Sequence, residues 1–198
     1  MAQTVVPTLG ILASGSGSNF EAIAQAIQSG SLSGEIRVLI CNHPEAKALQ
    51  RAERLGIPAV VLDHRQIKPR EALDRAIVET LQAHSVEWVA MVGWMRLVTP
   101  VLINAFPDRI LNIHPSLLPS FPGLRAVEQA LDHGVKITGC TVHIVTPEMD
   151  SGPILAQAAV PVFAGDTSES LHARIQVEEH RLIVEGIRLA TGQSSPAK

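Results

Sequence analysis

Apolar residues come in short unbroken runs along this chain, and between the runs they return every three or four positions. Thr8–Ala13 is a run of strand length. Asn19–Gln28 has helical spacing, with Phe20, Ile23, Ala24 and Ile27 on one face, and Gly30 supplies a stop. Arg37–Cys41 reads as a second strand. Pro44 suits the first turn of a helix that runs to about Leu55, where Gly56 ends it. Ala59–Leu62 is a third strand, and Pro69–His84 a helix that turns Ala72, Ala76, Ile77, Thr80 and Leu81 inward. Trp88–Val92 is a fourth strand, Pro100–Phe106 a short helix and Ile110–Ile113 a fifth strand.

Strand–helix alternation at this pace predicts parallel strands joined by crossover helices, the doubly wound α/β arrangement. The rhythm changes after the fifth strand. Asn112–Gly123 is a loop with three prolines, and Val127–Leu131 is helical. Ile137–Val145 and Ile154–Val162 are two longer runs suited to an antiparallel pair. Ser168–Ala190 closes the pattern as a long amphipathic helix, with Thr167 or Asp166 as its cap and Glu169 and Ser170 in its first turn. No repeat or linker divides the chain, so residues 1–198 are expected to form one domain with a frayed polar tail over 191–198.

Composition narrows the class. The chain is 46% hydrophobic but only 3% aromatic, so Val, Ile, Leu and Ala must build the core, as in a sheet covered on both faces. A net charge of −3 without a basic patch argues against nucleic acid as a partner. No run of about 18 apolar residues is present to span a membrane, and the N-terminus does not read as a secretion signal. Cys41 and Cys140 lie far apart in apolar runs. They fit a reducing cytoplasm and read as small buried hydrophobes, not a disulfide or a catalytic thiol.

The first strand ends in Ala13-Ser14-Gly15-Ser16-Gly17-Ser18-Asn19, and a helix follows at once. Glycines allow close backbone approach to an anion, and the free N–H groups of the helix start can bind it. A dinucleotide fingerprint would need a third glycine where Phe20 stands and an acid at the end of the second strand, which ends Cys41-Asn42-His43. A Walker A lysine is also missing. A monophosphate site remains, beside the plainer reading of a tight turn with no ligand.

The fifth strand leads into Asn112-Ile113-His114-Pro115-Ser116. Asn112 and His114 are two apart, so on an extended strand they share a face, and Pro115 favours that extended geometry. An amide donor and an imidazole thus look out together from the carboxyl edge of a parallel sheet, where ligands bind in such folds. These groups suit direct attack on an acyl carbon, with Asn112 and a protonated His114 donating to the developing oxyanion. No serine elbow is present, and no paired histidine spacing supports a metal. A purely structural Asn and His in a loop stays open on spacing alone.

Asn112-Ile113-His114-Pro115-Ser116-Leu117-Leu118-Pro119, with Met149-Asp150-Ser151-Gly152-Pro153-Ile154, resembles the folate-dependent formyltransferases. Ser14–Asn19 resembles the branch of that family acting on glycinamide ribonucleotide, and the likeness is collinear from about residue 8 to 190. The resemblance implies a Rossmann-like fold and a cytoplasmic enzyme, monomer or homodimer, without a metal. It implies transfer of a formyl group from 10-formyltetrahydrofolate to the amine of glycinamide ribonucleotide in purine synthesis. It makes Asn112, His114 and Asp150 the catalytic trio, and Asp150 the support of His114. It assigns the phosphate to Gly17, Ser18 and Asn19, and further ribonucleotide contacts to Gln176 and Glu179, which by spacing alone belong to an exposed helix face. Met95, Arg96, Leu97 and Val98, with Asn112, fall on the folate-binding stretch, and Arg70 on an arginine that pairs with a folate carboxylate.

One departure stands out: Val127 occupies a position where the family often has histidine, in a segment expected near the site. Rival readings are a formyltetrahydrofolate hydrolase, which usually carries an added N-terminal domain, and a non-catalytic nucleotide-binding protein. A methionyl-tRNA formyltransferase would need a basic RNA-binding domain.

Overall fold

The computed structural model describes residues 6–194. Seven strands and six helices alternate: β1 (Thr8–Ala13), α1 (Ser18–Gln28), β2 (Glu35–Cys41), α2 (Lys47–Leu55), β3 (Ala59–Val61), α3 (Arg70–Ala83), β4 (Trp88–Met91), α4 (Pro100–Ala105), β5 (Ile110–His114), α5 (Ala126–Asp132), β6 (Ile137–Ile144), β7 (Ile154–Pro161) and α6 (Ser168–Ala190). The strands form one sheet in the order β3-β2-β1-β4-β5-β6-β7. The first five strands pair in parallel, and β5–β6 and β6–β7 are antiparallel. The order reverses between β1 and β4, so the loops leaving those strands open a crevice at the carboxyl edge, the position where open α/β sheets bind ligands.

Alternation along each strand sorts its side chains between two cores. Leu9, Ile11 and Ala13 of β1, Leu111 and Ile113 of β5, and Cys140 and Val142 of β6 face Phe20 and Ile23 of α1 and Ile175 and Ile183 of α6. Leu12, Val89, Met91 and Ile110 face Leu73, Ile77 and Leu81 of α3 and Leu102 of α4. Truncating Ile23 or Ile77, both fully buried, to alanine would cost about 2–5 kcal/mol. Gly10 lets α3 approach β1: a Cβ there would lie 2.3 Å from Leu81 Cδ2. By the same period-two rule Asn112 and His114 turn away from the α1/α6 core, and so do their cross-strand partners His143 and Thr141.

Three local expectations shift. Pro44 does not open α2; Pro44 and Glu45 form a turn and the helix starts at Lys47. The inward face of α3 is Leu73, Asp74, Ile77 and Leu81, while Ala72, Ala76 and Thr80 are only half-buried. Residues 191–193 are held against the body: Gln193 Nε2 donates to the Ser33 carbonyl at 2.7 Å, and the Ser33 N–H donates to Gln193 Oε1 at 3.0 Å. The rest of the expected tail, 195–198, lies outside the described residues. α6 matches its predicted span, and Thr167 and Ser170 cap each other reciprocally at its start.

Candidate active site

β5 presents Asn112 and His114 on one face, and β6 lays His143 directly across from Asn112. Asp150 arrives from the β6–β7 connection, its backbone in the left-handed region at φ 52°. Its carboxylate closes the group: Oδ2 lies 3.4 Å from His114 Nδ1, and Oδ1 lies 3.7 Å from His143 Nε2. The trio therefore converges, although its members are up to 38 residues apart in sequence (150 − 112).

Hydrogen-bond partners fix the roles of the rings. The His143 Nδ1 atom is 3.0 Å from the Ile144 carbonyl, which can only accept, so the ring proton sits on Nδ1. Its Nε2 then accepts from Asn112 Nδ2 at 3.1 Å. That bond sets the amide orientation of Asn112 and leaves its second N–H free. The His114 Nε2 donates to the Phe121 carbonyl at 2.8 Å, and its Nδ1 faces Asp150. The Phe121 carbonyl must give way before that N–H can serve a substrate oxygen. Burial pushes the Asp150 carboxyl up, but the Gly123 N–H at 2.7 Å and the neighbouring His114 help hold the carboxyl below its ordinary range. Asp150 is thus an anion beside the His114 imidazole.

No thiol competes. Cys41 and Cys140 are fully buried, and burial pushes their thiols up to about 11 and about 12. Among the described residues no group of three or more His, Cys, Asp or Glu side chains could hold a metal ion.

The loop after β1 supplies the second element. Gly17 caps α1 in the left-handed region at φ 72°. A Cβ there would lie 2.6 Å from the Ala48 Cβ, so both conformation and packing demand glycine. Gln176 Nε2 donates to Ser18 Oγ at 2.9 Å, and Asn19 Nδ2 donates to Glu179 Oε2 at 3.1 Å. The structure therefore brings Ser18, Asn19, Gln176 and Glu179 together. Glu179 is buried, unlike the exposed helix face that spacing alone suggests. Asn19 Oδ1 is buried without a partner.

The segment after β4 forms the third element. The Ser14 N–H donates to the Gly93 carbonyl at 3.0 Å, and the Met95 N–H donates to Ser14 Oγ at 2.9 Å, so this segment is tied to the glycine loop. Met95 and Leu97 expose 69% and 54% of their surface, apolar area open to a flat ring. Val98 packs against the α3 core. Arg96 and Arg70 line one cavity of about 740 Å³ with Arg65 and Lys68. Arg96 Nε is buried without an acceptor, which suits an anionic or carbonyl group of a ligand. The cavity stops short of the trio, where the Phe121 carbonyl and Gly123 N–H cover His114 and Asp150. Val127 lies elsewhere: it is buried in the α6-side core, so its departure from the family pattern is a matter of packing.

Sequence reasoning missed His143. It sits in an apolar strand run, and only the antiparallel register of β5 and β6 sets it opposite Asn112. The amide, imidazole and acid, with no activated nucleophile among them, suit a class of enzyme that acts on a small acyl group by direct attack. The more particular assignment comes from comparison: residues 9–187 match the family described as Formyl transferase, and the chain belongs to that family. It is 43% identical over 171 residues to a phosphoribosylglycinamide formyltransferase of Bacillus subtilis (strain 168), covering 86% of this chain and 88% of that protein. It is 42% identical to the trifunctional purine biosynthetic protein adenosine-3 of Bos taurus, over 90% of this chain and 18% of that protein. The crystal structure of glycinamide ribonucleotide transformylase 1 from Symbiobacterium toebii superposes with a TM-score of 0.94 at 50% identity, covering 96% of this chain and 90% of that one.

Proposed function

We propose that this chain transfers the formyl group of 10-formyltetrahydrofolate to the amine of glycinamide ribonucleotide, yielding formylglycinamide ribonucleotide and tetrahydrofolate in purine synthesis. The observation that carries the reading is the meeting of Asn112, His114 and Asp150 at the same carboxyl edge of the sheet as a glycine loop suited to a monophosphate. The partners are these two small molecules, and the setting is the cytoplasm, with the chain acting as a single domain, monomer or homodimer. Among the described residues no helix is long and apolar enough to cross a membrane.

Each residue has a task in this reading. Gly17, Ser18 and Asn19 bind the ribonucleotide phosphate through backbone N–H groups and the start of α1. Gln176 orients Ser18, and Glu179 holds Asn19 and accepts from hydroxyl groups of the ribonucleotide. Met95, Arg96, Leu97 and Val98 flank the folate ring system, and Arg70 and Arg96 take its carboxylates. The amine attacks the formyl carbon directly. Asn112, with its free N–H, and His114 donate to the carbonyl oxygen as charge develops there. Asp150 keeps a proton on His114 and helps pass the amine proton to the departing folate nitrogen.

The test mixes the protein with both substrates and follows release of tetrahydrofolate. Release that depends on glycinamide ribonucleotide supports the reading. Formate release without the ribonucleotide would make the chain a hydrolase, and phosphate binding without transfer would make it a non-catalytic binding protein.

A further inference from the structure

The loop after β1 takes its shape from the two helices behind it. The Ala48 N–H of α2 donates to the Gly15 carbonyl at 3.1 Å, Arg51 Nε donates to the Ser16 carbonyl at 2.8 Å, and the Glu21 N–H donates to the Gly17 carbonyl at 3.0 Å. In a trans peptide the carbonyl and the N–H of one unit point to opposite sides. Three successive carbonyls drawn toward α1 and α2 therefore turn the N–H groups of Ser16, Gly17 and Ser18 the other way. Among the described residues none of these three N–H groups donates to a protein acceptor. Successive free backbone donors of this kind are what an anion-binding loop requires.

Two of the three anchoring donors are backbone. Arg51 is the one side chain among them. Its guanidinium is fixed in turn by Glu21 in the first turn of α1, and Glu21 also pairs with Arg54. Without Arg51 the peptide between Ser16 and Gly17 would lose the donor that fixes its tilt. A rotated peptide would present the Ser16 carbonyl to the anion in place of the Gly17 N–H, turning a favourable dipole into a repulsive one.

We propose that Arg51 is a positioning residue for the phosphate loop: it holds the Ser16 carbonyl away from the ribonucleotide phosphate and so aims the Gly17 N–H at it. This rests on the phosphate reading of that loop. Arg51 touches no substrate in this account and acts only through the backbone it grips.

The test compares Arg51→Gln, which removes the charge and the fork, with Arg51→Lys, which keeps a charge and one donor. For R51Q the KM of glycinamide ribonucleotide rises about tenfold, equivalent to ~1.4 kcal/mol. R51K recovers part of that loss. Turnover and the KM of the folate stay within about twofold, and inorganic phosphate weakens in parallel as a competitive inhibitor. A mere tie between α1 and α2 would lower the melting temperature without this selective shift in KM. An unchanged ribonucleotide KM and unchanged phosphate inhibition in R51Q overturn the proposal. Should R51Q fail to fold, Glu21→Gln, which frees the guanidinium from its anchor, is measured instead with the same expectation and the same refutation. Ser18→Asp, which sets a carboxylate in the loop, separates the two levels of the argument. If S18D raises the ribonucleotide KM and the Arg51 or Glu21 variant does not, the positioning role fails and the phosphate site stands. If neither raises it, the phosphate reading itself falls.

Discussion

Replacing Asn112 with alanine tests the oxyanion donor with little disturbance of the fold. One N–H of its amide is committed to His143 Nε2 at 3.1 Å, and the other is free to meet an oxygen that gains charge during the reaction. That second donor is present in the ground state but strengthens as charge develops, so its loss falls on turnover and not on binding. Removing one such donor typically lowers turnover by about 100- to 1,000-fold, or ~2.7–4 kcal/mol. The upper part of that range is expected here. The cut also leaves His143 Nε2 without its partner, 3.7 Å from the Asp150 carboxylate, and loosens the neighbouring acid. Steady-state kinetics with both substrates varied is the assay, with KM values within about threefold of wild type as the control for binding. The double variant with His114→Ala adds a second check: two donors to one oxygen should fall short of additivity. Turnover of N112A within about tenfold of wild type would refute the role given to the amide.

Three further outcomes follow from the same geometry. Asp150→Asn keeps the shape but removes the anion beside His114; turnover should fall by at least ~100-fold, and the loss should persist across the neutral range because the wild-type carboxyl is held below its ordinary value and stays ionised there. Recovery of D150N toward wild-type turnover at any neutral pH would contradict this. Arg96→Met should raise the KM of the folate while leaving that of the ribonucleotide unchanged, since Arg96 lines the cavity with Arg70 and, among the described residues, makes no hydrogen bond to the glycine loop; an equal effect on both KM values would count against the division of the site. Asp74 is buried, accepts the Thr99 N–H at 2.5 Å, and has its carboxyl pushed up by burial. A carboxyl whose folded value is raised stabilises the fold when protonated and loses that contribution as pH rises through the folded value. Asp74→Asn, which keeps an acceptor without the charge, should therefore melt higher than wild type at neutral pH, with the gain shrinking in acid; a lower melting temperature at neutral pH would show that the charge is needed.

The elements were legible where a single helix or strand decides its own pattern. The period of Phe20, Ile23 and Ala24 marks α1, and the start of α6 was legible to within the choice of Thr167 or Asp166 as its cap, which the structure decides for Thr167. Asn112 and His114 were legible as a pair for the same reason, being two apart on one strand. What failed depended on distant partners. α2 starts after Pro44 because its first turn is engaged with the glycine loop, where the Ala48 N–H reaches the Gly15 carbonyl. The α3 face rotated because Asp74 finds a buried partner at Thr99, a pairing that no apolar periodicity reports. His143 was invisible because register between antiparallel strands is set by packing, and Glu179 seemed exposed until Asn19 came to meet it. The approach of Asp150 to His114 was readable only through resemblance to a family.

The central claim is direct transfer, with no formyl group ever resting on the protein. A rapid-quench, single-turnover experiment with excess protein and folate labelled in its formyl carbon tests it. With glycinamide ribonucleotide present, the label should pass into the ribonucleotide alone, in step with the appearance of tetrahydrofolate. Label bound covalently to the protein, or released as formate before it reaches the ribonucleotide, would contradict the account.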